Sequence, residues 1–327
     1  MSAKMKRREF ITLLGGAAAW PLAAHAQQGE RMRRIGVVMG LPASDPGGRS
    51  EFAALKQGLE DLGWIDGRNF EIKARWGGEP DRVQASAKEL VGLPCEVIIA
   101  RSTPVTAAVL KETRTIPVVF AVVVDPVGSG FVQSFARPGG NVTGFQNYEF
   151  TMVGKWLQML EEIAPHVRRI AYIYNPTTAP PGFLRALDTV APSVSVQLVA
   201  TPVQSSAEID VAFAELARER GAGLMMVPDI FNTANHTQII ALAAKHGLPA
   251  MYPHRFSDAL VTYGPDTPDL FRRAASYVDR ILRGEKTGEL PVQAPIKYEL
   301  IINLKVAKAL GLEVPPTLLA RADEVIE

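Results

Sequence analysis

The stretch LPCEVIIARSTPVTAAVLKETRTIPVVFAVVVDP, residues 93–126, decides how the rest of the chain is read. Two unbroken apolar runs, CEVIIA (95–100) and VVFAVVV (118–124), enclose a segment of helical character that Thr103-Pro104 opens. An alternating run would mark a strand with one face in water. Continuous runs mark strands covered on both faces, as in a parallel sheet flanked by helices. Leu93-Pro94 and Ile116-Pro117 stand where each strand is entered, a position at which proline removes no ladder hydrogen bond. The stretch therefore predicts a β-α-β unit.

Working outward, the same alternation continues. IGVVMG (35–40) reads as a strand, and Phe52, Leu55, Leu59 and Leu62 recur at helical spacing before Gly63. FEIKARW (70–76) alternates like a half-buried strand, and Val83, Ala87, Leu90 and Val91 mark the next helix. After VVFAVVV come a short helix around Phe131 to Phe135 and a turn at ARPGGNVTG (136–144). The pattern then restarts with a helix at Val153, Leu157 and Leu160, and strands RIAYIYN (169–175), VQLVATPV (196–203), LMMVPD (224–229) and PAMYP (249–253). Ser205 and Glu208 form a capping-box pair ahead of Ile209, Phe213 and Leu216. LVTYGP (260–265), a helix from Thr267-Pro268 and KYELIIN (297–303) are too few to bury a core of their own, so they must complete the two earlier units. The expected fold is α/β, with two doubly wound parallel-sheet lobes. Lobe 1 takes residues 34–145 plus about 264–286, and lobe 2 takes 146–263 plus about 288–327.

The first 26 residues read as an address label. Lys6-Arg7-Arg8-Glu9-Phe10-Ile11 resembles a twin-arginine export signal, and Ala24-His25-Ala26 suits cleavage after Ala26. Ile11–Ala24 is interrupted by Gly15, Gly16 and Pro21 and falls short of the about 20 apolar residues a spanning helix needs. Cleavage would lower the formal charge from +1 to −2, leaving 31 basic and 33 acidic residues. With neither a positive field nor a basic run, nucleic acid is not an expected partner. Cys95, at the start of a strand, reads as a buried structural thiol.

A search for catalytic constellations returns none. The sequence has no Gly-x-Ser-x-Gly elbow and no phosphate loop, and its histidines lack metal-ligand spacing. No enzyme activity, metal or cofactor is expected. Binding asks for less, because ligands of doubly wound sheets sit beyond the carboxyl ends of the strands, where helix N-termini present free N–H groups. Those ends carry the loop GLPASDPGGRS (40–50), then Ser102 and Thr103, with Thr103 read as the cap and Pro104 as the first helical residue. They also carry Asp125 for an ammonium group, Asn175-Pro176-Thr177, Asp229, and Tyr252 with Arg255. For each, a cap, turn or solvated loop residue is the rival reading. Together they suit a small zwitterion with an apolar side chain.

Three blocks extend this reading: Ile116-Pro117-Val118-Val119-Phe120, Asp125-Pro126-Val127-Gly128-Ser129-Gly130, and Arg137-Pro138-Gly139-Gly140-Asn141-Val142-Thr143-Gly144. With Gly63-Trp64, Tyr174-Asn175-Pro176 and Tyr263-Gly264-Pro265-Asp266, they resemble the tryptophan/tyrosine-type solute-binding proteins of ABC importers. The resemblance implies a type I periplasmic binding fold with a three-crossover hinge that closes on a ligand between the lobes. It further implies a periplasmic, monomeric protein that delivers a small-molecule solute to a membrane permease. By position it places Pro42, Asp45, Ser102, Thr103, Asp125, Asn147, Tyr148, Asp229 and Tyr252 around the ligand. Arg101 departs from the family pattern and points toward a solute more acidic than tryptophan. Residues 254–260 are compact for this loop. The alternatives are a periplasmic sensor or an enzyme on the same scaffold, the latter using Asp125 with His254 or Asp229.

Overall fold

The computed structural model describes residues 32–327. The export signal expected at residues 1–26 lies outside them. The chain divides into two compact units. The first runs up to Ala121 and adds Phe131–Gly144 and Phe271–Val292; the second comprises Val122–Gly130, Phe145–Leu270 and Gln293–Glu327. The nine-position excursion 122–130 aside, the chain passes between units three times, near Gly144, after Leu270 and after Val292.

In the first unit β1 (Arg33–Val38), α1 (Pro46–Asp61), β2 (Phe70–Arg75), α2 (Pro80–Gly92), β3 (Val97–Arg101), α3 (Thr103–Glu112) and β4 (Val118–Val123) follow in strict alternation. β5 (Val142–Gln146) completes a sheet of order β2-β1-β3-β4-β5. β1 pairs in parallel with β2 and β3, and β3 with β4. Val97–Ala100 and Val118–Ala121 are fully buried, so the two runs that opened the reading are covered on both faces. Pro117 stands just before β4, and its carbonyl accepts from the Ile98 amide at 2.9 Å. The proline thus joins the ladder through the one backbone group it can offer.

The second unit is built likewise. Its elements are α4 (Met152–Ile163), β6 (Arg169–Tyr174), α5 (Pro181–Val190), β7 (Gln197–Pro202), α6 (Ser206–Leu216) and β8 (Ala222–Met226). There follow α7 (Ile230–Ala234), α8 (His236–Lys245), β9 (Ala250–Tyr252), β10 (Val261–Pro265), α9 (Thr267–Leu282), which passes into the first unit after Leu270, and then β11 (Tyr298–Asn303), α10 (Leu304–Ala309), α11 (Pro316–Leu319) and β12 (Glu324–Ile326) of the second unit. The sheet order is β12-β11-β10-β9-β8-β6-β7, parallel except where β11 returns antiparallel to β10. α4 buries Trp156, Leu157, Leu160 and Ile163, each worth about 1.5–3 kcal/mol on transfer from water. The Trp156 indole N–H donates to the Tyr263 carbonyl at 2.7 Å, so the ring's one polar atom is satisfied in the core.

Two local expectations fail. No helix forms around Phe131 to Phe135. There the Ser134 hydroxyl bonds the Arg137 backbone, the Gln133 amide donates to the Pro138 carbonyl, and Gly130 adopts φ +71°, so side-chain and turn bonds displace the helical ladder. The end of ARPGGNVTG is not all turn. Asn141 leaves it, its side-chain amide donating to the Ile116 carbonyl, and Val142–Gln146 becomes the buried strand β5.

Candidate functional site: the carboxyl ends of the strands

In the first unit the β1–α1 loop carries an exposed Pro42 and a half-buried Asp45. Asp45 caps α1, its Oδ1 accepting from the Gly48 amide at 2.7 Å. The β3–α3 connection differs from the expected one. Ser102, not Thr103, occupies the cap position, and Thr103 is the first helical residue. Ser102 adopts φ 82°, ψ 160°, a region that glycine alone enters cheaply. Its amide donates to the Ala121 carbonyl at 2.9 Å, and its carbonyl accepts from both the amide and the hydroxyl of Thr106. No side chain caps α3. A strained serine, two hydroxyls not used as caps and the open N-terminus of a ten-residue helix therefore meet at one strand end.

Arg101, the last residue of β3, is no free cation. Its Nε donates to Oε2 of Glu51 at 2.5 Å and its Nη2 to Oε1 at 3.2 Å. This corrects the expectation that Arg101 attracts an acidic solute, since a partner on α1 cancels its charge. Spacing alone gives no hint of that partner, because Glu51 reads as one more polar position on a helix.

In the second unit Asp125 folds back on its own turn, Oδ1 accepting from the Gly128 amide at 2.8 Å. The turn-forming reading of Asp125 is thereby the observed one. Just past β5, Asn147 is 2% exposed and its amide donates to the Val123 carbonyl. Its Oδ1 is buried without a hydrogen-bond partner among the described residues. Such an acceptor costs about 1–3 kcal/mol unless something supplies a donor. Tyr148 is a core residue: its hydroxyl donates to the Pro253 carbonyl at 2.7 Å and lies 2.8 Å from His254 Nδ1, and its ring packs edge-on against Trp156 and Phe183.

The ends of β6 and β8 are joined by Asp229. Its Oδ2 accepts from the Asn175 amide at 3.0 Å and its Oδ1 from the Asn232 amide at 2.6 Å, capping α7. Burial raises its carboxyl above the ordinary range, and these backbone bonds only partly offset that. Asn175 is turned inward onto Thr177. Tyr252 is fully buried, and burial pushes its phenol strongly upward. Arg255 is exposed and pairs with Glu324 at 2.6 Å within its own unit. Asn232 was not foreseen. Its amide nitrogen bonds the Ile173 and Val227 carbonyls, while its buried Oδ1 has no partner among the described residues. Only its place two residues inside a short helix after a strand end could have marked it.

Among the described residues no group of three or more His, Cys, Asp or Glu side chains is placed to hold a metal ion, and no helix is long and apolar enough to cross a membrane. Two α/β units with polar groups at the carboxyl ends of both sheets, linked by repeated chain passages, define a two-lobed binding protein of the type I periplasmic class. The chain belongs to the family described as ABC transporter substrate binding protein, whose model matches residues 35–326. It is 28% identical over 265 residues to a tyrosine-binding protein of Clostridioides difficile (strain R20291), covering 78% of this chain and 74% of that one. A conserved domain protein of Vibrio cholerae, at 27% identity, superposes with a TM-score of 0.79 over 90% of this chain and 99% of its own. An ABC domain from Streptococcus pneumonia in complex with L-Trp gives the same TM-score and coverage at 20% identity, a likeness of fold.

Proposed function

We propose that this substrate-binding protein works outside the cytoplasm, in the periplasm, after removal of a signal ending near Ala26. There it captures an amino-acid-like or organic-acid solute and passes it to the permease of an ABC importer. In this reading the carboxyl ends of the strands of each unit carry the groups that recognise a solute, and binding shifts the protein toward its liganded form. Ser102 and Thr103 at the start of α3 receive the solute's carboxylate, and Asn147 Oδ1 receives a donor. Pro42 and Asp45 stand at the strand ends of the first unit and Asp125 at those of the second, while Asn175, Asp229, Tyr148, Tyr252 and Arg255 shape the second unit's strand ends rather than touch the solute through their polar atoms. The protein acts as a monomer and carries out no chemistry on what it binds.

The observation that supports this most is the strained Ser102 beside an uncapped helix start, since strain of this kind persists where surrounding structure maintains it for a purpose. The tyrosine-binding relative supports the amino-acid class. The test is thermal denaturation of the mature protein against amino acids and organic acids, with mass spectrometry of the recovered solute. A solute at about 100 times its Kd should stabilise the protein by about 2.7 kcal/mol and be recovered unchanged. A solute consumed during incubation, or no stabilisation by either class, would refute the reading.

A further inference from the structure

The pair Glu51–Arg101 ties α1 to the last residue of β3, the very strand end where the solute's carboxylate is proposed to sit. Glu51 is 2% exposed in the middle of α1, and the Arg101 side chain is 17% exposed. Two parallel bonds along the Nε–Nη2 edge fix the guanidinium. Arg101 directly precedes Ser102, whose amide and carbonyl are both tied into the protein, so the backbone that carries the guanidinium is held at the start of α3.

A buried acid placed on the only arginine of this strand end has an electrostatic consequence. An unpaired Arg101 would add a full positive charge beside the helix N-terminus and would favour a solute with two negative charges. Paired, it adds none, and the helix N-terminus is left with enough partial charge for one carboxylate. We propose that Glu51 is a specificity-determining residue: by neutralising Arg101 it restricts the solute to one whose carboxylate is balanced by its own cation or stands alone, and it disfavours dicarboxylates and acidic amino acids. This rests on the placement of the carboxylate at Ser102 and Thr103.

Calorimetric titration of the mature protein with a zwitterion (tyrosine, leucine) and its acidic counterparts (glutamate, succinate) tests it through the ratio of affinities. The wild type should favour the zwitterion, and Glu51→Gln should move the ratio toward the acid by about tenfold or more. Arg101→Gln, which exposes the Glu51 carboxylate, should move it the other way. The double variant, neutral again, should return to within about threefold of the wild-type ratio. If Glu51→Gln does not fold, Arg101→Gln and the double variant carry the same comparison. An unchanged ratio in the single variants, or a wild type that prefers the acid, overturns the proposal. Thr103→Val separates the two levels. If it weakens every solute while Glu51→Gln and Arg101→Gln leave the ratio unchanged, only the role of Glu51 fails; if it changes nothing, the carboxylate site itself fails.

Discussion

Ser102 shows how a single residue can carry more information than its neighbourhood. At φ 82°, ψ 160° it pays a conformational cost that glycine would not. Ser102→Gly is therefore expected to stabilise the unliganded protein by about 1 kcal/mol, raising Tm by about 2–4 °C, while weakening solute binding through loss of the hydroxyl. Scanning calorimetry with and without solute measures both. Thr103→Val, which keeps shape and removes only the hydroxyl, should weaken binding by about tenfold with little change in melting, as expected for one lost hydrogen bond to a charged group. Thr103-Pro104 announces a helix start in the sequence, and that much was legible. The strain at Ser102 was not, because it depends on the Ala121 carbonyl, which a parallel neighbour strand brings alongside. Glu51 was equally hidden: its burial follows from a partner fifty positions away.

At the scale of elements, Asp229 ties two strand ends and one helix together. Asp229→Ala should cost about 1–3 kcal/mol in chemical denaturation. Because burial raises its carboxyl, the folded state keeps that proton to a higher pH than the unfolded chain does. Its contribution is thus full below the ordinary value of about 3.9 and is lost as pH rises through the raised folded value. Asp229→Asn retains a capping oxygen and removes the titration, so stability measured from pH 3 upward should lose that downward slope. A slope of equal size in the variant would show that another group is responsible. Most elements were readable, because strands covered on both faces leave unbroken apolar runs such as VVFAVVV. β5 escaped because Thr143 and Gly144 interrupt its run and paired glycines lead into it. The false helix at Phe131 had apolar residues at its ends and local side-chain bonds that override them.

At the scale of the whole molecule the passage at Gly144 is tightly constrained. A Cβ there would lie 2.0 Å from the Phe120 carbonyl oxygen, and φ is +155°. Gly144→Ala should cost about 3 kcal/mol or more, read as a lower denaturation midpoint at unchanged slope. Two strands thus cross the unit border, and each has unusual backbone there, since Val122 on β4 also has a positive φ of 59°. The last of the passages has its own consequence. Trp64 donates to Asp279, and Gly58 packs against Arg272 and Ala275, so the first unit is closed by a segment that emerges only with Phe271–Val292. While the polypeptide is still on the ribosome, its amino-terminal half must wait, incomplete, for a helix encoded near the other end of the message. Expressing either half alone should yield an insoluble or unstructured product rather than an independent module.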